Sequence, residues 1–171
     1  MSVKGADEFA NMALITTVES AANTLTFKKL ETGISLNEKI AWIINRIEYL
    51  ISDPFFSNFV QDADSLAFGL SVSGSWATVA LTEITILDFN NYNQVVATGV
   101  GFMRVVQPVV KDYSSLPSGG IIVPPVPLYG WVKGSGLANA TTVTARIWYT
   151  MLNLSPDQYW QLVEARRVLS S

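Results

Sequence analysis

The stretch TTVTARIWYTML (residues 141–152) alternates between two sets of side chains. A period of two with many β-branched and aromatic residues is typical of a half-buried strand. The pattern predicts an apolar face that carries Ile147 and an opposite face that carries Trp148. The first face is formed by Thr141, Val143, Ala145, Ile147, Tyr149 and Met151, and the second by Thr142, Thr144, Arg146, Trp148, Thr150 and Leu152.

The residues that follow predict a short C-terminal helix. Ser155 is a favourable N-cap, Pro156 suits the first helical position, and Gln158 completes a capping box with Ser155. A long strand that ends in a short capped helix indicates a mostly β fold. One face of the predicted helix carries Tyr159, Leu162, Val163 and Arg166.

The composition excludes several kinds of chemistry. The 171 residues predict one domain with a core of its own, and they include neither cysteine nor histidine. Disulfides, thiolate or imidazole catalysis and Cys or His metal sites are therefore impossible. We predict that the protein is not an enzyme, and we assign it no catalytic residue, metal ligand or cofactor.

The charge and hydropathy indicate an apolar protein that associates with others. The net charge is −3 and only 15% of residues are charged, which argues against a surface that coats nucleic acid. Although 49% of residues are hydrophobic, no apolar run approaches the ~18 residues that span a bilayer. The N-terminus lacks the pattern of a signal peptide. We expect other subunits to cover part of the apolar surface.

The segment 35–52 satisfies the rules for both a helix and a strand. Ser35 and Glu38 form a potential capping box, and the isoleucines that follow have helical spacing. However, a helix would place Trp42 and Tyr49 on its polar side. A strand that is apolar on both faces explains these two residues better, so we predict a strand over residues 38–51.

Turn signals every ten to twenty residues separate seven or eight predicted strands. We interpret residues 1–23 as an N-terminal arm and residues 24–171 as a β-sandwich or jelly-roll domain. Residues 55–64 and 90–93 read as loops. The further predicted strands cover residues 24–31, 65–73, 79–88, 94–110, 128–133 and 141–152, with 94–110 divided by a bulge or bend at its glycines.

The order of these features resembles the single jelly-roll capsid proteins of small icosahedral viruses. The resemblance covers about residues 24–167 and is one of pattern, because no motif in it is diagnostic alone. It implies an eight-stranded jelly-roll β-sandwich with a short C-terminal α-helix, and a chain located in the virion. The segments that carry it are KIAWIINRIEYL (39–50), DSLAFGLSVS (64–73), GGIIVPPVPLYGWV (119–132) and ARIWYTMLNLSPDQYWQLVEA (145–165).

The function that this resemblance implies is self-assembly into an icosahedral shell around a genome. The partners would be many copies of the same chain, together with other capsid proteins. Many such proteins carry a long basic arm, whereas this chain offers only Lys4, Lys28 and Lys29 to a genome, so we expect weak or indirect contact with nucleic acid. Aromatic residues are typical of subunit interfaces. The predicted interface residues are Trp42, Tyr49, Trp131 and Trp148.

Two alternative functions fit fewer features of the sequence. The five tryptophans could include a sugar-stacking platform, as in a carbohydrate-binding jelly-roll module of a viral spike or fibre. Such a platform requires two or three aromatic rings on one exposed face. A hydrolase that uses paired carboxylates ranks last, because the strand pattern brings no acidic pair to an obvious cleft.

Overall fold

The computed structural model describes residues 11–34, 38–51, 58–59, 63–80, 83–93 and 108–169. These residues form nine strands and one helix that follows the last strand. The strands are β1 (Asn11–Val18), β2 (Thr26–Leu30), β3 (Ile40–Ile51), β4 (Ser65–Ser71), β5 (Ile86–Asn93), β6 (Val109–Asp112), β7 (Ile121–Val123), β8 (Leu128–Ser135) and β9 (Thr142–Asn153), and the helix is α1 (Pro156–Leu169).

The strands form two antiparallel sheets. The first sheet has the order β1-β9-β3-β6, with β7 paired to β3 beyond the end of β6. The second sheet has the order β2-β8-β4-β5. Strand β9 lies at the centre of the first sheet, where its alternating pattern buries Val143, Ala145 and Ile147 and leaves Arg146 exposed. The predicted faces of this strand are confirmed.

The two sheets pack face to face around a core that both supply. Tyr49 of the first sheet meets Phe68 of the second, with ring centroids 5.1 Å apart. Burying an apolar side chain of this size contributes about 1.5–3 kcal/mol, so each buried residue between the sheets adds to the stability of the fold. The prediction of a mostly β sandwich with a short C-terminal helix is confirmed. The side chains without solvent exposure include Ile44, Ile47, Leu66, Leu70, Val123, Leu128, Val132 and Ile147.

A β-bulge explains why β3 has the sequence pattern of a helix. The pairing of β3 with β9 shifts between Ile44 and Arg46, so Asn45 is an extra residue on this strand. The bulge puts Ile44 and Ile47, three residues apart, on the same inward face. Three is also a helical spacing, which made the pattern ambiguous. The predicted strand over residues 38–51 is confirmed as Ile40–Ile51.

Strand β1 was not predicted, because the sequence analysis assigned residues 1–23 to an arm. Strand β1 pairs with β9 along its whole length, and Ile15 and Thr17 are buried. Apolar residues occupy both faces of β1, with Met12, Leu14 and Val18 exposed, so its sequence lacks a clear alternation. Part of the predicted arm therefore belongs to the first sheet, while residues 1–10 lie outside the described residues.

The prediction for residues 79–93 was wrong in its boundaries. The strand here is Ile86–Asn93, so the predicted loop at residues 90–93 is part of β5. Aspartate and asparagine are depleted in strands, and for this reason the sequence indicated a loop. In β5, the Asn90 side chain donates a 2.8 Å hydrogen bond to Asp88, and both are buried. Tertiary hydrogen bonds thus overcome the local preference.

The predicted number of eight strands is also wrong for this chain, because the described residues contain nine. Strand β1 was not predicted, and β6 and β7 are two separate strands that lie end to end along β3. The predicted strand over 94–110 cannot be compared as a whole, since residues 94–107 lie outside the described residues. Its last residues belong to β6.

The predicted capping box at the start of α1 is confirmed. The Gln158 backbone N–H donates to the Ser155 hydroxyl at 3.3 Å, and the Ser155 N–H donates to the Gln158 side chain at 3.1 Å. Tyr159 is buried, whereas its neighbour Trp160 is 60% exposed. Within the described part of the chain, no helix has the length and apolar character needed to cross a membrane.

Candidate functional site: the outer face of the first sheet

The outward side chains of the first sheet form an exposed surface, which we call the open face. The cross-strand pairing aligns these side chains in rows that run from β1 through β9 and β3 to β6. One row contains Met12, Trp148, Arg46 and Asp112, and the next contains Leu14, Arg146, Glu48 and Val110. A shorter third row contains Thr16, Thr144 and Leu50.

Large hydrophobic side chains are concentrated on the open face. Leu14 is 50% exposed and Leu50 is 54% exposed, and both lie beside charged or hydroxyl-bearing neighbours in their rows. Exposed apolar side chains that cluster, rather than occur singly, mark interaction surfaces. Of the eight large hydrophobic side chains that are exposed among the described residues, five lie here: Met12, Leu14, Val18, Leu50 and Val110.

The centre of the open face is a group of charges built around Glu48. Arg46 contacts one carboxylate oxygen of Glu48 at 2.6 Å, and Arg146 donates to the other at 3.2 Å. The Glu48 side chain is only 14% exposed, whereas the two arginines are about half exposed. Each guanidinium therefore keeps donors that face solvent. The arrangement places three charged groups in the middle of an apolar surface.

A fourth charge, that of Asp112, lies at the edge of the open face. Hydrogen bonds from Ser114 hold the pKa of Asp112 below its usual value, and the positive charge of Arg46 acts in the same direction. Asp112 thus carries its negative charge at neutral pH. With Arg46, Arg146 and Glu48, it makes the described charges of these two rows sum to zero.

A cavity of about 250 Å³ opens on this face beside the charged group. Its lining combines carboxylate, guanidinium, hydroxyl and aliphatic groups, but it lacks an imidazole or thiol because the chain has none. No group of three or more acidic residues able to hold a metal ion occurs within the described ranges. The lining residues are Glu48, Leu50, Pro108, Thr144 and Arg146.

The centre of the outer face of the second sheet is covered by another part of the chain. Its central row pairs Phe27, Trp131, Gly69 and Phe89 across the four strands. Trp76, from the segment after β4, packs edge-on against Phe27 at 4.7 Å and Trp131 at 5.2 Å between centroids. Trp131 is consequently 1% exposed although it points away from the inter-sheet core.

Of the four predicted interface residues, Trp148 is the one that the structure places on the open face. Trp42 is buried and stacks on Tyr149, with centroids 3.6 Å apart. Tyr49 is fully buried between the sheets, and Trp131 lies beneath Trp76. The interface role of these residues stays a prediction. In the single chain, three of them fill its interior, and Trp148 lies in a partly exposed row.

The predicted genome-facing lysines lie on β2, at the edge of the second sheet. Lys28 and Lys29 are both exposed, and Lys29 forms a 2.5 Å ion pair with Glu31. The hydrogen bond with Glu31 raises the pKa of Lys29, but the pair is screened by solvent. Lys4 lies outside the described residues. Of the three predicted lysines, the structure therefore places two side by side on β2, and Glu31 neutralises the charge of Lys29.

Leu14, Glu48, Val110 and Arg146 share a surface that the sequence patterns did not predict. The sequence did contain one relevant signal. Residues 11–18 have apolar side chains at alternate positions, and in the structure these positions align with the more polar face of residues 141–152. Recognising it required the pairing of β1 with β9, which depends on residues more than 100 positions apart. Strand pairing at this distance is not encoded in a local pattern.

A buried polar group closes the edge of the sandwich between β5 and β6. Tyr113 donates a hydrogen bond to Asp88, and Lys111 contacts the same carboxylate oxygen at 3.3 Å. Burial raises the pKa of Tyr113. Burial and the nearby charge of Asp88 also raise the pKa of Tyr49. The buried hydroxyl of Tyr49 lacks a well-formed hydrogen bond. The group joins β5 of the second sheet to β6 of the first and to the residue that follows it, which indicates a structural role.

A second buried carboxylate holds the connection between β8 and β9. Glu19, which is 3% exposed, accepts hydrogen bonds from the backbone N–H groups of Gly134 at 2.6 Å and Thr141 at 2.9 Å. Asn23 adds bonds to both backbone groups of Leu137. These contacts order the connection before β9, and so help to position the strand at the centre of the open face.

Comparisons with known proteins leave the fold and the open face as the basis for a functional assignment. The sequence matches no protein-family model and no curated protein at a significant level.

Proposed function

We propose that this protein is a structural capsid subunit with a jelly-roll fold, which self-assembles into the icosahedral shell of a small virus. The strand order supports the fold. If β6 and β7 count as one interrupted strand, the pairs are first with last, second with second last, and so on to β4 with β5. A long antiparallel ribbon rolled into two four-stranded sheets has this nested pairing.

A fold of this kind occurs in viral capsids, lectins and cupins, so the surface must decide between functions. The observation that carries self-assembly is the open face, where half-exposed Leu14, Val18 and Leu50 surround a neutral group of charges. Apolar residues within a polar setting are the composition of a subunit interface. The partner is further copies of the chain, and the location is the virion.

The charge distribution supports weak or indirect contact with a genome. Lys28 is exposed on β2, but Lys29 is paired with Glu31, and the whole chain has a net charge of −3. Phosphate neutralisation by this pair alone would involve few counterions. Other capsid proteins would therefore have to meet most of the charge of an enclosed genome.

The carbohydrate-binding alternative receives less support. A stacking platform needs several rings on one exposed face. Trp42 and Trp131 are buried, and Trp76 packs its ring against Trp131. The structure leaves Trp76, Trp148 and Trp160 with exposed surface, and they lie on three different parts of the chain. Self-association accounts for the exposed aliphatic side chains, which a glycan platform does not require.

The test of this proposal is the mass of the purified protein in solution. Light scattering across a range of salt and pH, with negative-stain images of the same sample, should reveal closed shells or capsomer-sized rings. The ratio of absorbance at 260 nm to that at 280 nm should indicate little bound nucleic acid. A strict monomer under every condition would overturn the proposal, and binding to a glycan panel with a change in tryptophan fluorescence would favour the alternative.

A further inference from the structure

We infer that the open face binds the open face of a second copy around a two-fold axis, with Arg146 of each chain opposite Glu48 of the other. The inference rests on the proposed self-assembly and names the surface through which one contact forms. It concerns the pairing of two chains, and other surfaces would still have to link such pairs into a shell.

A two-fold contact requires a surface that is complementary to itself. The strands of the open face are ordered β1, β9, β3 and β6. Consider a two-fold axis that lies in the plane of the contact, parallel to the strands and between β9 and β3. It would place β9 of one chain opposite β3 of the other. It would also place β1 opposite β6, and each row of one chain would face the same row of the other chain in reversed order.

The charges on the open face match under this operation. Arg146 and Glu48 are direct neighbours in one row, on β9 and β3. Reversal of the row therefore places each Arg146 over Glu48 of the second copy, twice in the contact. The side chain of Arg146 is half exposed, and its present bond to Glu48 uses one nitrogen, so donors remain for a second carboxylate.

The apolar and aromatic residues match in the same way. In the row of Arg146, the outer positions are Leu14 and Val110, which would meet each other across the contact. In the neighbouring row, Trp148 would meet Arg46, and a guanidinium over an indole face is a favourable pair. At the edge of that row, Met12 would meet Asp112. The operation thus gives three of the four pairs in these two rows complementary chemistry, which fits a second copy better than an unrelated partner.

The experiment uses two charge reversals in the full-length chain, Glu48→Arg and Arg146→Glu. The first variant carries only positive charges at the two central positions, and the second carries only negative charges. Each variant alone should weaken its own pairing by about tenfold or more, because like charges face each other. An equimolar mixture should regain pairing, since every positive position then faces a negative one. Native mass spectrometry distinguishes the mixed pair by its mass.

The matched controls are Lys29→Glu and Glu31→Arg, which alter an exposed ion pair of the second sheet. They should leave pairing unchanged, alone and mixed. Circular dichroism and thermal melting must show that all four variants fold. We expect this most clearly for Arg146→Glu, Lys29→Glu and Glu31→Arg, whose altered side chains are about half exposed or more, whereas the Glu48 side chain is 14% exposed.

The outcomes separate this inference from the proposed function. If the wild type forms shells and both reversed variants assemble equally well, with no preference in the mixture, the two-fold contact is refuted and self-assembly stands. If the wild type forms only pairs that the reversals disrupt and the mixture restores, the contact is supported and the shell is refuted. A monomeric wild type refutes both.

Discussion

The outer faces of the two sheets differ in how far their large apolar side chains are exposed to solvent. On the second sheet, Trp131 points outward but is 1% exposed, because Trp76 from the segment after β4 packs over it. On the first sheet, Leu14 and Leu50 point outward and remain half exposed. Among the described residues, Trp76 covers the centre of one outer face, whereas large aliphatic side chains on the other stay half exposed. Under the proposed self-association, a second copy would cover the aliphatic side chains of the open face.

Truncation of Trp131 should have the largest effect on stability. Trp131→Ala would remove a buried ring that packs against Trp76 and Phe89, so we expect a loss of about 3–5 kcal/mol in the free energy of unfolding. Urea denaturation followed by circular dichroism measures this loss. A cost below that of Trp148→Ala would show that the second face is not covered as described.

The two sides of β9 offer a paired comparison within one strand. Ile147 has no solvent exposure, so Ile147→Ala should destabilise the fold by about 2–5 kcal/mol. Trp148 is partly exposed on the opposite side, so Trp148→Ala should cost less in stability and affect assembly more. The check combines denaturation with light scattering, and equal unfolding of both variants would contradict the assigned faces.

Removal of the cover should make the second face resemble the first. Trp76→Ala would expose Phe27 and Trp131, at a cost of about 1–3 kcal/mol because Trp76 is itself only partly buried. We expect stronger quenching of Trp131 fluorescence by acrylamide and a greater tendency to associate. Val79→Ala, in the same segment but outside the aromatic group, serves as a control that should change neither property.

The ion pairs of the open face should have the smallest effect on folding. Arg146→Ala removes a half-exposed partner of Glu48, and solvent screening limits the cost to about 0.2–1 kcal/mol. The loss should shrink further at high salt. A double-mutant cycle with Glu48→Ala measures the coupling. A salt-independent coupling of several kcal/mol would mean that the pair stabilises the chain itself and is not free to serve a contact.

The elements with local sequence patterns could be predicted without the structure. The alternation in residues 141–152 predicted both faces of β9, and Ser155 with Gln158 predicted the start of α1. The lack of cysteine and histidine removed whole classes of chemistry. These features could be predicted because side-chain alternation, helix capping and the inventory of reactive groups depend only on neighbouring residues or on composition.

The elements that depend on distant partners became evident from the folded chain alone. Strand β1 exists because it pairs with β9, and β5 includes Asn90 because Asp88 accepts its hydrogen bond inside the sandwich. The burial of Trp131 depends on Trp76, and the open face depends on rows assembled from four strands. Strand pairing and burial join residues far apart in the chain, so a local pattern cannot specify which apolar side chains are covered.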